Sequence, residues 1–499
     1  MPPTRFQAPS GTRDLYPQDL LRRRYIEKLW RDTALRHGFE EIDGPTFEHA
    51  DLYAVKSGEG ILSELFQVFS GKDAGELEAI RAGKSAPYAL RPEFTPTLAR
   101  MYAAKAGSLP KPTKWFWMQN CYRAERQQRG RLREFGQWNC DILGTENEPE
   151  ARARADADCI AVVVGALEDA GLVLRRGEQL VRYNNRKIVA DYLTDQGVPE
   201  HLQPNVLALI DRVHKLLGAQ IEDECKALSV TPKVLEPFRD GSGYVFSGGS
   251  IRPITESAAG PSDGAKMAWP LWEELGHLAL QDWCNLDLSI VRGLAYYTGT
   301  VFEVLADNER AIAGGGRYDN LIELFGGPPT PAVGFGMGDV VLSLVLQDRG
   351  LLPEGDALMD ALSRPSASYR PDVFVLGAGQ TPADQDAALA QVRPLAARLR
   401  RGTESQAFLS REGRKPWDPD RYASASGGAP PLHARSSSKA TRNIGKLLQD
   451  AVAQKSKLAV ILESGADATI KDLRTNTQDA TRTSLADLPR VVASRLGAG

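Results

Sequence analysis

The stretch KWFWMQNCYRAERQQRGRLREFGQWNCDIL, residues 114–143, sets two aromatic-rich runs with strand character around an arginine-rich centre. The simplest arrangement is an antiparallel hairpin whose loop carries Arg123, Arg126, Arg129, Arg131 and Arg133. Strand alternation then places Gln137, Asn139 and Asp141 on one face of the outgoing strand, with Trp138, Cys140 and Ile142 on the other. Arg123 and Glu125 share one face of the incoming strand. An arginine run by itself reads as a solvated tip. Polar residues continuing down one strand face turn it into the wall of a binding site backed by a core.

The rest of the chain bounds what that wall can serve. At 499 residues the chain exceeds one ordinary domain, so two or three cores are expected. A net charge of -3 excludes a generally basic protein, and any nucleic-acid contact must be a local patch. Five scattered cysteines without CxxC spacing indicate neither a zinc site nor a disulfide framework, as expected of a reducing cytoplasm. The N-terminus has no apolar run of signal-peptide length, and no segment of about eighteen apolar residues occurs, so a soluble protein without a membrane partner is expected. The six histidines cluster nowhere and read as surface or packing residues.

Three more stretches carry polar chemistry. YALRPEFTPTLARM (88–101) holds Glu93 between a proline and two threonines, apt for an ammonium group. LSIVRGLAYYTGTVFEV (288–304) is a strand-like run with Arg292 and the Tyr296–Tyr297 pair. IAGGGRYDNLIELFGGPPTPAVGFGMGDVVLSLVL (312–346) has three consecutive glycines where a backbone must approach something closely, then a glycine-rich strand entering an apolar helix. Nucleotide-binding loops of other classes fail on spacing. ELEAIRAGKS (76–85) has Glu78 where a P-loop needs its first glycine, and GFGMGD (334–339) is GxGxG rather than GxGxxG.

Residues 19–37 form an amphipathic helix through Leu20, Leu21, Ile26, Leu29, Trp30 and Leu35, stopped by Gly38, and 150–171 form an alanine-rich one. A proline-interrupted segment around Pro45 suits a strand end or edge. Residues 179–256 read as a helical insertion between a first part at 1–178 and a second at 257–362. After the linker SRPSASYRP, residues 370–499 alternate strand and helix as a small α/β domain, with strands at DVFVLGAG, SQAFLS, LAVILE and ATIKDLRT. Within it, 411–443 is rich in Pro, Gly, Ser and Arg with few core-forming residues and reads as a mobile basic loop.

Together these stretches resemble the histidine–tRNA ligases, a family of class II aminoacyl-tRNA synthetases. YRAERQQRGRLREFGQ is similar to the second class motif, VRGLAYYTGTVFE and AGGGRYDNL to the two histidine signatures, PAVGFGMGD to the start of the third motif, and Pro45 to the proline of the first. The resemblance implies an α/β (α+β) architecture. It comprises a class II antiparallel-sheet catalytic domain with a helical insertion and a C-terminal α/β anticodon-binding domain. It also implies a cytoplasmic homodimer that uses ATP and Mg2+ to join L-histidine to tRNA(His) through histidyl adenylate.

Carried over by motif, Arg123 and Arg292 are the catalytic arginines on either side of the α-phosphate. Phe135 stacks on adenine, Glu125 contacts its edge, and Arg131 reaches the γ-phosphate. Glu93, Thr95 and Gln137 hold the amino-acid end, while Asp141 and the Tyr296–Tyr297 pair read the imidazole; Arg126, Gln127, Gln128 and Arg129 are candidates for the tRNA acceptor end. No metal ligands are expected in the protein itself. Most relatives end the third motif in a glutamate and an arginine, where this chain has Val340 and Val341. Arg131 with magnesium, another residue, or weak binding would account for the γ-phosphate. The alternatives are a histidine-binding regulatory subunit of ATP phosphoribosyltransferase and a tRNA-sensing pseudo-synthetase.

Overall fold

The computed structural model describes residues 6–57, 59–175, 178–213, 216–239, 244–247, 250–253, 263–291, 297–306, 310–439 and 441–497. The first helix, α1 (Pro17–Arg36), opens on a proline, whose missing N–H costs nothing in the first turn. It buries Tyr25, Ile26, Trp30, Ala34 and Leu35. Leu20, expected in that stripe, lies one turn earlier and is exposed. Short elements follow: β1 (Glu40–Glu41), β2 (Phe47–His49), α2 (Ala50–Ser57), β3 (Gln67–Val68), α3 (Ala74–Arg81), β4 (Tyr88–Leu90) and α4 (Thr95–Ala103).

The long hairpin is β5 (Thr113–Tyr122) and β6 (Glu134–Leu143), antiparallel in continuous register, and α5 (Pro149–Asp169) lies behind it. The chain continues through β7 (Val181–Asn185), α6 (Arg186–Asp195), α7 (Gln203–Ile210), α8 (Gly218–Ala227), α9 (Glu236–Arg239), β8 (Tyr244–Ser247), β9 (Ser250–Pro253) and α10 (Asp263–His277). It returns with β10 (Cys284–Leu286), β11 (Thr300–Val304), β12 (Ala313–Arg317), α11 (Leu321–Leu324), β13 (Ala332–Gly338), α12 (Asp339–Asp348) and α13 (Gly355–Ser363). Eight strands form one sheet in the order β1-β5-β6-β13-β12-β11-β7-β10, parallel only at its two ends. Residues 181–185, counted by sequence with the helical insertion, therefore belong to this sheet. Similarly, the strand-like reading of 288–304 holds among the described residues only for β11.

One face of the sheet carries the main core. Trp138 stacks on Trp30 at 5.8 Å and meets Phe335 edge-on at 5.0 Å, contacts worth about 1 kcal/mol each beyond burial. Arg317, buried on this face, pairs with Asp156 of α5 at 2.5 Å and with Asp319 at 3.1 Å. Those pairings tie β12 to the helix behind it.

The C-terminal domain has β14 (Val373–Gly377), α14 (Pro382–Arg401), α15 (Gln406–Leu409), β15 (Ala434–Ser436), α16 (Ile444–Ala453), β16 (Leu458–Leu462), β17 (Asp467–Asp472), β18 (Thr477–Gln478), β19 (Thr483–Ser484) and α17 (Leu488–Arg495). Its sheet runs β15-β14-β16-β17-β18, with β19 also on β17. The strand expected at SQAFLS is a helical turn, because the Ser405 hydroxyl accepts from the Phe408 N–H and caps it. The edge strand lies instead at 434–436, inside the segment read as a mobile loop. Ala429, Leu432, His433 and Ala434 there are buried, and Arg421 donates to the carbonyls of Glu168 and Asp169 at the end of α5. Four small or polar-looking positions thus supply core and interface that composition hides.

Two buried polar clusters join the domains. Asp158 of α5 accepts from Lys114 and from Arg393 of α14, both at 3.0 Å, and Arg393 also reaches Glu274 of α10 at 3.0 Å. Burial alone would raise the Asp158 carboxyl, but Lys114, Arg393 and Arg400 hold it well below the usual carboxylate range. At the second cluster, His433 Nδ1 lies 2.8 Å from the Ser368 carbonyl, and Arg435 Nε donates to His433 Nε2 at 3.0 Å. Both contacts require the neutral ring with its proton on Nδ1. Burial, then Arg435, pushes its pKa down to about 3.

A histidine depressed from about 6.5 contributes stability above that pH and loses it as pH falls toward the folded value, since the unfolded chain binds the proton first. His433→Gln should therefore flatten the acid side of the stability curve between pH 6 and 4 by about 1.4 kcal/mol per pH unit, read by urea unfolding at each pH. An unchanged slope would show that His433 is not held neutral.

Candidate active site

The middle of the sheet's second face is floored with glycine, while its flanks carry a second core through Trp115, Trp117, Val301 and Tyr318. In register, Asp141 of β6 lies beside Gly334 of β13, which lies beside Gly316 of β12; Asn139, Gly336 and Gly314 form the parallel row, and Gln137 pairs with Gly338. Residues paired across strands share a face. The floor between the polar wall of β6 and the far strands therefore carries no side chains. A methyl on Gly334 would fall inside the contact radius of Asp141 Oδ1, and one on Gly336 would sit 2.6 Å from Gln137 Nε2. Gly315, on the opposite face, leaves room for Phe335, which a methyl would approach to 2.7 Å.

The floor closes at one end and opens at the other. At the closed end Asp141 is 1 % exposed and accepts from the Tyr318 hydroxyl at 2.5 Å. Tyr297 is buried over the same row, its ring 3.0 Å from a methyl placed on Gly316. Gln137 and Asn139 are buried and joined by a 2.9 Å hydrogen bond. Gly314, Gly336 and Gly338, nearer the hairpin loop, are only half-buried.

The loop end holds the charges. Arg123 follows the last residue of β5, so it sits beyond the strand rather than on it, and its Nε donates to the Pro92 carbonyl at 3.1 Å. Its guanidinium lies 5.1 Å from the Phe135 ring centroid, and the Pro92 contact sets it next to Glu93. Cys121, between these groups, is inert: burial pushes its thiol up to about 12 against the pull of Arg123 and Arg91. Thr95 is buried at the start of α4. Glu125 pairs with Arg131, and Gln128 and Arg131 exchange backbone hydrogen bonds around Gly130, whose φ of +74° closes the turn. Arg126, Gln127, Gln128 and Arg129 are the exposed tip, with Arg129 3.3 Å from Asp348 of α12.

Arg123, Glu125, Arg131, Phe135, Glu93, Thr95, Gln137, Asp141 and Tyr297 are thus gathered along one face, from the loop to the closed end. Arg292 and Tyr296 lie outside the described residues. Sequence reading missed Tyr318, whose signal was its place directly after the GGGR run. It also missed Arg91, buried and donating to the carbonyls of Asn120, Gly44 and Pro45 at 2.9–3.1 Å while lying 4.7 Å from the Trp117 ring centroid. Arg91 clamps the segment around Pro45 to β5.

The sequence profile described as Histidyl-tRNA synthetase matches residues 11–338, which include every element of the floor. The chain belongs to the histidyl-tRNA synthetase family. Relatives of this synthetase include the histidine–tRNA ligase of Opitutus terrae, 38% identical over 363 residues, 70% of this chain and 76% of that one. The chloroplastic/mitochondrial histidine–tRNA ligase of Arabidopsis thaliana is 34% identical over 351 residues, 69% of this chain and 67% of that one. Among solved structures, histidyl-tRNA synthetase from Nostoc shares the fold with a TM-score of 0.53 at 21% identity, over 99% of this chain and 100% of that one. An ATP phosphoribosyltransferase regulatory subunit/histidyl-tRNA synthetase from Bacillus halodurans shares it equally, at 0.53 and 21%, over 76% of this chain and 87% of that one.

Within the synthetase the glycine floor makes a contrast that stability can read. Gly334→Ala must displace Asp141 from Tyr318 and should cost about 2 kcal/mol or more in urea unfolding. Gly338→Ala, with open space where its methyl would stand, should stay within about 1 kcal/mol of the parent. Equal costs would show that the floor is not tightly held.

Proposed function

We propose that this synthetase joins L-histidine to tRNA(His) in two steps on the glycine floor, with histidine at the Asp141 end and ATP at the hairpin end. The row Asp141–Gly334–Gly316, roofed by Tyr297 and Tyr318, carries the reading. It sets a buried carboxylate and two phenols over backbone that carries no side chain of its own. An imidazole has one N–H donor and one nitrogen acceptor. A buried acceptor such as Asp141 discriminates, because a ligand without the donor forgoes a hydrogen bond that imidazole makes. Glu93, Thr95 and Gln137 would take the ammonium and carboxylate ends.

In the first step a histidine carboxylate oxygen bonds to the α-phosphorus and the bond to the β-phosphate oxygen breaks, releasing pyrophosphate. Negative charge builds at the α-phosphate. Arg123, already oriented by the Pro92 carbonyl, would bridge the carboxylate and that phosphate, and Arg292 would approach from the other side. Phe135 would stack on adenine with Glu125 at its edge, and Arg131 would reach toward the γ-phosphate. In the second step a ribose hydroxyl of the terminal adenosine attacks the histidyl carbonyl and AMP leaves, with the exposed tip at 126–129 gripping the acceptor strand.

Magnesium would enter with the nucleotide. Such an ion keeps several waters and is held mainly by the phosphate oxygens it arrives with, so Glu125, paired with Arg131, stays at the adenine edge. Bound to those oxygens, it would neutralise the pyrophosphate. The remaining parts of the reading are a cytoplasmic location, in keeping with five buried free cysteines, and a homodimer formed through the segment around Pro45, where Phe47 is half-exposed. Among the described residues no helix is long and apolar enough to cross a membrane.

Histidine-dependent ATP–pyrophosphate exchange tests the reading. Exchange should occur with histidine and no other amino acid, and Arg123→Ala or Arg292→Ala should lower it by about 100-fold or more. Histidine binding without any exchange would refute adenylate formation and favour the regulatory-subunit alternative.

A further inference from the structure

Five arginines crowd the hairpin loop, yet two are paired with carboxylates and two more are turned to backbone carbonyls away from the open end. Arg131 faces Glu125, Arg129 faces Asp348, Arg133 donates to the backbone of Glu125 and Ser10, and Arg123 is turned to the Pro92 carbonyl and the Phe135 ring. A nucleoside triphosphate brings about four negative charges, and its pyrophosphate end needs cations that are not already neutralised. The third motif offers none: α12 begins Asp339-Val340-Val341, and the Asp339 carboxylate is turned away, buried against the Gly136 N–H and Arg13.

A sixth arginine reaches the same place from another strand. Arg310 lies three residues before β12, on the segment where Ile312 accepts from the Gly338 N–H and so meets the junction of β13 and α12. A methyl on Gly130, at the turn of the loop, would touch Val341 Cγ2 at 3.3 Å and Arg310 Cδ at 3.5 Å. Loop turn, Val341 and the Arg310 stem therefore converge on one point at the open end of the floor. Arg310 is exposed, and its guanidinium donates to the side-chain carbonyl of Gln128, a neutral partner. Among the described residues no carboxylate pairs with it.

We propose that Arg310 binds the β- and γ-phosphates of ATP, supplying from the β12 side the cation that the third motif lacks at Val341. Gln128 holds the side chain against the loop turn without neutralising it, so the guanidinium keeps its full charge for a phosphate. Planar guanidinium forks suit phosphate oxygens better than a point charge would. The position, beyond the half-buried Gly338, lies at the opposite end of the floor from Asp141. Arg310 therefore acts on the leaving group and not on histidine.

The assignment rests on the adenylate-forming reading of the site, and direct ligand binding separates the two. Arg310→Gln keeps the stem and removes the charge at an exposed position, so the fold should be retained. By titration calorimetry with magnesium, ATP should bind about tenfold more weakly to the variant, while AMP, which lacks the β- and γ-phosphates, and histidine should bind as before. In exchange assays KM for ATP should rise and KM for histidine should not. Unchanged ATP affinity would overturn the proposal. So would an equal loss for ATP and AMP, which would mean a general disturbance, or a defect confined to KM for tRNA, which would make Arg310 an RNA contact. If the parent protein shows no exchange, the adenylate reading falls, whereas the ATP and AMP affinities still decide the role of Arg310.

Discussion

One constraint governs the catalytic domain: a single antiparallel sheet must pack a full core on one face and keep the middle of the other free of side chains. Pleating makes these demands inseparable, because each residue moved by one position changes face. The run Gly314-Gly315-Gly316 meets both at once. Its outer two members clear the floor, and its central one gives way to Phe335 on the packed side. The register that aligns Gly316 with Gly334 and Gly334 with Asp141 is in turn fixed from behind, where Trp138, Phe335 and Trp30 interlock. A one-residue slip would drive Asp141 into that aromatic stack and raise Trp138 into the floor. Packing energy on one face thus sets binding geometry on the other.

The polar residues outside the floor hold its surroundings in place. Arg91 binds three carbonyls and covers Trp117, so the segment preceding the acid Glu93 is attached to β5 through backbone groups whose partner would be costly to remove. Asp158 works between bodies: its position amid Lys114, Arg393 and Arg400 locks α14 of the C-terminal domain onto α5, the helix that supports the sheet. Since Arg393 also holds Glu274 of α10, two helices of the catalytic domain and α14 of the C-terminal domain meet at one buried guanidinium. Burying that many charges is tolerable because Lys114 and Arg393 share carboxylates, while Arg400 donates to the Ala434 carbonyl.

Sequence made the hairpin legible, together with its two-faced outgoing strand, because a period of two survives wherever one face is core and the other polar. The site residues came from the motif resemblance rather than from periodicity, and nine of them lie along the floor among the described residues. Periodicity failed where an element is short or its core residues are small. Strand β7 is five residues long, with Asn184 and Asn185 buried, and it precedes a helix-rich stretch that hid it. Strand β15 has three residues, one of them alanine, within a segment whose Pro, Gly and Ser content argued for a loop. SQAFLS has the alternation of a strand, but a serine at its head caps a helical turn, and a local hydrogen bond prevailed over a weak pattern. Tyr318 and Arg310 escaped for another reason. Their roles depend on neighbours far along the chain, Asp141 and Gln128, which only the folded sheet brings near.

Asp339 shows how this synthetase joins the two ends of the matched region. It opens α12 directly after the glycine strand, yet its carboxylate faces away from the floor, accepting from the Gly136 N–H at 2.9 Å and pairing with Arg13. Burial raises its pKa, while Arg13 and Arg23 pull it back toward the charged form. Two residues before Arg13, the Gly11 carbonyl accepts from the Arg133 N–H at 2.8 Å, so the N-terminal segment is stitched to the start of β6 at one point and to α12 at another. Gly136 lies between Phe135 and Gln137, the residues proposed for adenine and for the amino-acid end. A single carboxylate therefore sets the height of the strand on which both depend, and the acidic residue at the head of α12 is a positioning group for the floor rather than a ligand of anything bound upon it.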